Sequence, residues 1–288
     1  MTRLLLAHPA CMPLPLPPPK LLALDLDGTL LDAASQLPQA HRETVAWVRS
    51  QGIEVAIVTG RPLLTTRWVW ERLGLDTPVV CFNGVWVGVP GEAPLACEAL
   101  SEADVHDIVA VLAQLDGAIC VYPGVERWLI HRFTARTRDF SQLYGVTIEE
   151  QPELLRTWTG PSCKVMFVAE PERIPHALAL AQQALGDRFH MVASQEDRFE
   201  IHRPGVTKAW GLARLCSVMG IQAGEVWAVG DAANDAEMIA WAGVGCAMGH
   251  APAALQAQAQ VILPSIHEHG LQALRALIEE AQASHGRP

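Results

Sequence analysis

Leu21–Asp32 reads Leu-Leu-Ala-Leu-Asp-Leu-Asp-Gly-Thr-Leu-Leu-Asp, and it places two carboxylates, Asp25 and Asp27, directly after four apolar residues. An unbroken apolar run of this kind is expected of a strand buried on both faces of a parallel sheet. Such a strand has no structural reason to end in acids, because an unpaired buried charge is costly. At the carboxyl end of a parallel strand the same acids stand where open α/β sheets bind ligands. Three further segments end in polar groups of complementary type: Thr59 after Ile53–Val58, Lys208 at a helix start, and Gly230-Asp231-Ala-Ala-Asn234-Asp235 after another apolar run. Asp231 and Asp235, four apart, can share one side of a helix start. Gathered carboxylates repel by roughly 4 kcal/mol per pair at 4 Å in an effective dielectric near 20. A hard divalent cation relieves that repulsion, and Mg²⁺ held by a few carboxylates plus substrate phosphate suits such a site. Thr59 can donate to a phosphate oxygen and Lys208 supplies a compact positive charge.

Lysine is scarce here. Only Lys20, Lys164 and Lys208 occur beside eighteen arginines, which adds weight to a functional reading of Lys208. The elements that must position these groups follow from periodicity. Apolar strands alternate with helices over Pro38–Gln51 and Pro62–Leu73, which implies parallel βαβ units. The rhythm changes after Asn83-Gly84: short strand pairs and helices between residues 85 and 202 read as an α+β insertion with its own antiparallel sheet. These include an expected helix over Thr134–Leu143 and an irregular piece from there to Ser162. The alternation resumes from Thr207 to a closing helix over Gly270–Ala283. The expected class is α/β, a Rossmann-like parallel-sheet core with an inserted α+β cap domain. Its divisions are a Pro-rich disordered leader over 1–19, core over 20–84, cap over 85–202, and core again over 203–288.

Composition excludes several alternatives. With 31 acidic against 21 basic residues the net charge is −10, which argues against nucleic-acid binding. No stretch is long and apolar enough to span a bilayer. The seven cysteines are scattered without a C-x-x-C pair, as expected of buried free thiols in a reducing cytoplasm. The leader breaks any signal-like helix with Pro13–Pro19, so translation from Met12 would suffice for the fold. Arg127–Arg138, with four arginines and a histidine, reads as a solvated strand edge and helix face. The histidines lack metal-ligand spacing, and Trp47, Trp68 and Trp227 read as core residues.

Taken together, Asp25-Leu-Asp-Gly-Thr-Leu, Thr59-Gly-Arg-Pro, Gly205-Val-Thr-Lys208 and Gly230-Asp-Ala-Ala-Asn-Asp235 resemble the haloacid dehalogenase-like hydrolases. The resemblance is to the Cof-type phosphatases with a large α/β cap of the C2B type, and it covers about residues 20–280. It implies that Asp25 is the nucleophile forming an aspartyl-phosphate, and that Asp27 is general acid and then base. Thr59, Lys208 and Asn234 would bind the phosphoryl group, while Gly60, Arg61, Asn83 and Gly84 would serve substrate or hinge. Mg²⁺ would sit on Asp25, the backbone carbonyl of Asp27, and Asp231, with Asp235 as a direct or indirect ligand. Asp27 favours a phosphatase or phosphomutase over relatives with other chemistries. The implied substrate is a small phosphorylated metabolite such as a sugar phosphate. The alternatives are a dedicated sucrose-, trehalose- or mannosylglycerate-phosphate type, a phosphomutase, or a non-catalytic phospho-ligand binder. One departure is Ile266-His-Glu-His-Gly270, where the family often carries an Asn/Asp-rich loop.

Overall fold

The structure, a computed structural model, describes residues 16–285. Two compact units are present. The first holds the chain up to Gly60, Arg67–Leu95 and the chain from Thr207 onward. The second holds Arg61–Thr66 and Ala96–Val206.

In the first unit five strands form a parallel sheet in the order Val261–Leu263, Val244–Met248, Val226–Gly230, Leu21–Leu24, Glu54–Ile57. Leu21–Leu24 is an inner strand and wholly buried, as its apolar run requires. The register sets Leu24 opposite both Val229 and Ile57, so the three strands run out level with one another. The Asp25 N–H then donates to the Val229 carbonyl at 3.0 Å and the Val58 N–H to the Leu24 carbonyl at 2.9 Å. Asp25, Thr59 and Asp231 therefore leave the sheet at one edge.

Val79–Cys81 joins this edge through a parallel bridge between Val58 and Val80, then folds back on Trp86–Gly88 as an antiparallel pair. The expected division between residues 84 and 85 falls inside this hairpin, and the chain stays with the first unit as far as Leu95. The described chain also begins before Lys20: the Trp227 indole N–H donates to the Pro17 carbonyl at 2.9 Å. The rest of the expected leader, residues 1–15 with Met1 and Met12, lies outside the described residues.

The second unit is built on a six-stranded sheet in the order His190–Gln195, Arg198–His202, Val165–Val168, Ala118–Val121, Leu129–Ile130, Glu149–Glu150. All neighbours are antiparallel except the last pair. One face packs Val121, Phe167, Phe199 and Ile201 against Glu102–Leu112 and Ile174–Leu185. The first of these helices starts in a capping box, in which Ser101 Oγ accepts from the Asp104 N–H and the Asp104 carboxylate from the Ser101 N–H.

Three expectations are corrected here. The helix expected over Thr134–Leu143 is only Phe140–Tyr144. Ahead of it the Thr134 N–H donates to Thr137 Oγ1 at 2.8 Å, a local side-chain bond that replaces a helical turn. The irregular piece before Ser162 contains the Glu149–Glu150 strand and a single helical turn, Leu154–Thr157. Trp227 is fully buried, but Trp68 is 41% exposed on the outer side of Leu63–Arg72 and is not a core residue.

Other expectations match. Arg127 pairs with Glu149, Arg132 with Asp116 and Arg136 with Glu170, all on half-exposed side chains. Such pairs contribute little to stability. Of the described cysteines, five are buried and Cys97 is exposed.

The second unit carries its own pH-sensitive group. His202 is buried against the His190 ring, with centroids 4.8 Å apart, and desolvation followed by His190 lowers its pKa to about 4. The unfolded ring titrates near 6.5. Between those values the unfolded chain holds a proton that the folded one refuses, so stability is present above pH 6.5 and is lost as pH falls toward 4. The full effect is about 3 kcal/mol. Denaturant melts from pH 7.5 to 4.5 should show this slope, and His202→Gln should flatten it.

Candidate active site

Asp25, Asp27, Thr59, Lys208, Asp231, Asn234 and Asp235 all belong to the first unit. Asp25 is buried, and its Oδ1 accepts from Lys208 Nζ at 2.6 Å. The same ammonium donates to Asp235 Oδ1 at 2.6 Å. Lys208 is 1% exposed and opens the helix Lys208–Met219, which Thr207 caps by accepting from the Trp210 N–H. Asp235 is fully buried, and its Oδ2 accepts the N–H groups of Asp231 and Ala232 at 3.0 Å each. Asp235 thereby fixes both the ammonium and the loop that carries Asp231.

Carboxylate oxygens of Asp25, Asp231 and Asp235 lie within 4.8 Å of one another. Burial pushes the Asp25 carboxyl well above its ordinary range, with Lys208 opposing and Asp235 and Asp231 adding to the rise. Asp231 is raised too, first by burial and then by Asp235. For Lys208, burial works against the cation, and Asp235 and Asp25 outweigh it, so the ammonium is held. One ammonium, paired with Asp25 and Asp235, is thus set against three clustered carboxylates. That shortage of positive charge, on an all-oxygen donor set, is what a hard divalent cation fits.

The remaining expected residues fall into place around this core. Asp27 is exposed at the turn after Leu26, where the Gly28 N–H donates to the Leu31 carbonyl at 2.9 Å. Gly28 has φ +80°, and a Cβ there would stand 2.2 Å from Asp231 Oδ2. Thr59 is buried, and its carbonyl accepts the Asn83 N–H at 3.0 Å. Asn83, in the left-handed region at φ 55°, uses its Oδ1 to accept from Asn234 Nδ2 at 2.9 Å. A Cβ on Gly60 would meet that Asn83 amide at 3.0 Å. The loops after three strands are thus tied into one rim. Arg61 opens the short segment that groups with the second unit.

Gly84 supports the rim from below. At φ +107°, its Cβ would lie 2.1 Å from the Thr207 carbonyl, next to Lys208. Gly84→Ala should cost about 1–3 kcal/mol from the backbone conformation alone, read as a shift in denaturant midpoint, and should also disturb Lys208. Two neighbours of Asp231 lie outside the expected set. Thr29 Oγ1 donates to Asp231 Oδ1 at 3.2 Å, and His250 Nε2 lies 3.5 Å from Oδ2. Thr29 sits within the Asp-Gly-Thr motif and was legible there; His250 had no local signal.

The family model for haloacid dehalogenase-like hydrolase matches residues 22–274. An HMP-PP phosphatase of Cronobacter sakazakii is 28% identical over 236 residues, covering 82% of this chain and 86% of that protein. The pyridoxal phosphate phosphatase YbhA of Escherichia coli is 27% identical over 261 residues, covering 85% and 93%. The crystal structure of a haloacid dehalogenase-like hydrolase from Bacteroides thetaiotaomicron superposes with a TM-score of 0.82 at 24% identity, over 91% of this chain and 98% of that one. The chain belongs to the haloacid dehalogenase-like hydrolases, in the Cof-type phosphatase group. It is an enzyme of the phosphoric monoester hydrolase class. Among the described residues no helix is long and apolar enough to cross a membrane.

Proposed function

We propose that the chain is a Mg²⁺-dependent phosphatase of small phosphomonoesters that works through an aspartyl-phosphate on Asp25. The observation that carries this reading is the Lys208 ammonium, bridging Asp25 and Asp235 at 2.6 Å each at the carboxyl edge of the sheet. A buried carboxylate held by a fixed cation is a positioned nucleophile. Attack of an Asp25 oxygen on phosphorus breaks the ester bond and yields the acyl phosphate. Asp27, exposed two residues on, gives a proton to the leaving alkoxide and then takes one from water. Water attack at phosphorus returns Asp25 and releases phosphate. Thr59, Lys208 and Asn234 hold the phosphoryl oxygens, an electrostatic task.

The Asp25 and Asp231 carboxylates, with the Asp27 carbonyl, would hold Mg²⁺. When bound, the ion supplies charge neutralisation between the nucleophile and the phosphate. Asp235, whose two oxygens already serve Lys208 and two backbone N–H groups, maintains the loop and the ammonium. Gly60, Arg61, Asn83 and Gly84 would serve substrate or hinge. The core would extend over about residues 20–84 and 203–288, with the cap over 85–202.

Relatives named for HMP-PP and pyridoxal phosphate support a small phosphorylated metabolite as substrate. The buried thiols fit a cytoplasmic location. The test is phosphate release from a panel of sugar phosphates, pyridoxal 5′-phosphate and phosphorylated pyrimidines, with Mg²⁺ and with EDTA. Turnover that EDTA abolishes and Mg²⁺ restores supports the reading. Release no faster than the uncatalysed rate from the whole panel would contradict it.

A further inference from the structure

We infer that His250 is a positioning residue for Asp231, fixing how that carboxylate is presented to a divalent cation. This rests on the metal reading given above, and it goes beyond it by assigning a role to a residue that the motifs do not contain. Asp231 has two oxygens and each meets a separate neighbour. Thr29 Oγ1 donates to Oδ1 at 3.2 Å, and His250 Nε2 faces Oδ2 at 3.5 Å. Gly28 lies so close beneath Oδ2 that no side chain fits there, so the carboxylate is confined on that side as well.

The imidazole is itself held. The Ile266 backbone N–H points at His250 Nδ1 at 3.4 Å. Accepting there requires a lone pair on Nδ1, which leaves the ring proton on Nε2, facing Asp231. The backbone of both loops is pinned to keep this arrangement. Gln256 Nε2 donates to the carbonyls of Gly249 and Ala251 on either side of His250, at 3.0 and 2.8 Å. On the other loop, Ser265 caps the single turn Ile266–Glu268: its Oγ accepts the His267 N–H, and the Glu268 carboxylate accepts the Ser265 N–H. Ile266 is buried, and the His267 ring lies 6.3 Å from the His250 ring.

The segment Ile266-His-Glu-His-Gly270 therefore acquires a purpose. It is the backbone support that fixes the tautomer of His250. A carboxylate held by the Thr29 hydroxyl on one oxygen and facing the His250 ring on the other loses little freedom when a cation binds. Removing such an outer partner costs about 10–100-fold in metal affinity or activity.

The test compares wild type, His250→Ala, His250→Gln and Asp231→Asn by Mg²⁺ titration without substrate, followed by isothermal calorimetry and by thermal shift. A glutamine amide nitrogen reaches the place of Nε2 and keeps a donor there. The expected result is Mg²⁺ binding about tenfold weaker in His250→Ala, largely recovered in His250→Gln, and lost in Asp231→Asn. Equal melting temperatures of the His250 variants in EDTA would show that the fold is intact. Wild-type affinity in His250→Ala, with binding lost in Asp231→Asn, would overturn the role of His250 and leave the metal site standing. Equal weakening in His250→Ala and His250→Gln would overturn the donor role. Absence of any Mg²⁺ response in wild type would instead overturn the metal reading, and the role of His250 with it.

Discussion

Asp25→Asn is expected to lower turnover by about 10⁴-fold or more, the range found when a covalent nucleophile is removed. That loss corresponds to about 5 kcal/mol or more of transition-state stabilisation. The amide keeps the shape and can still accept a hydrogen bond from Lys208, so the loss would come from chemistry and not from a collapsed site. The stability of the same variant gives an independent check. Asp25 is buried with its carboxyl raised well above the ordinary range, chiefly by desolvation. A group raised in the folded state contributes stability below its unfolded pKa and loses it as pH rises through the folded value. At neutral pH without metal, then, the Asp25 charge works against folding, and Asn should melt no lower than wild type. Chelated protein at pH 7.5, followed by circular dichroism, checks this. A variant that is both inactive and less stable in EDTA would mean that the Asp25–Lys208 pair stabilises the fold more than burial destabilises it.

The second large effect belongs to Lys208. Lys208→Met removes the ammonium that pairs with Asp25 and Asp235, in a cluster whose three carboxylate groups lie within 4.8 Å. Breaking a buried ion pair by deleting one partner typically costs about 3–5 kcal/mol, because the remaining charge is uncompensated. Turnover should fall by about 10²–10³-fold, the scale of a lost preorganised electrostatic contact. The direction of rescue is diagnostic. Lower pH, which protonates the orphaned acids, should recover stability, and so should a divalent cation. Lys208→Arg should not restore activity, since a planar guanidinium does not fit a place shaped for a compact ammonium between two carboxylates 2.6 Å away on either side. Urea midpoints at pH 5.5 and 7.5, each with and without Mg²⁺, read all of these. Full wild-type stability in Lys208→Met at pH 7.5 without metal would contradict the account.

Much of this site could be read in the sequence, for a physical reason. A strand buried on both faces must be apolar throughout, so the polar residue ending it stands out, as Asp25, Thr59 and Asp231 do. The parallel register then brings those ends level without further information. What could not be read depends on sheet order and loop packing. Asn83 and Asn234 meet across 151 positions because their strands end at one edge, and nothing local to either residue announces it. His250 meets Asp231 for the same reason.

The missed turn at Thr134 has a different cause. The helix expected over Thr134–Leu143 is shortened because the Thr137 hydroxyl accepts the Thr134 backbone N–H. The expected division at Gly84 lies between two strands that pair, because Trp86–Gly88 returns to Val79–Cys81. Trp68 was read from its apolar neighbours, yet it stands on the solvent side of its helix, between the buried Thr66 and Val69.

The central claim is that phosphate passes through Asp25, and the most direct measurement is to trap it there. The best substrate from the metabolite panel, carrying ³²P, would be mixed with enzyme and Mg²⁺, quenched in acid within milliseconds, and the protein digested and mapped. The account predicts acid-stable, hydroxylamine-labile label on the peptide containing Asp25, formed and lost at rates that match turnover, and absent from Asp25→Asn. Turnover with no labelled protein, or with label on a different residue, would contradict it.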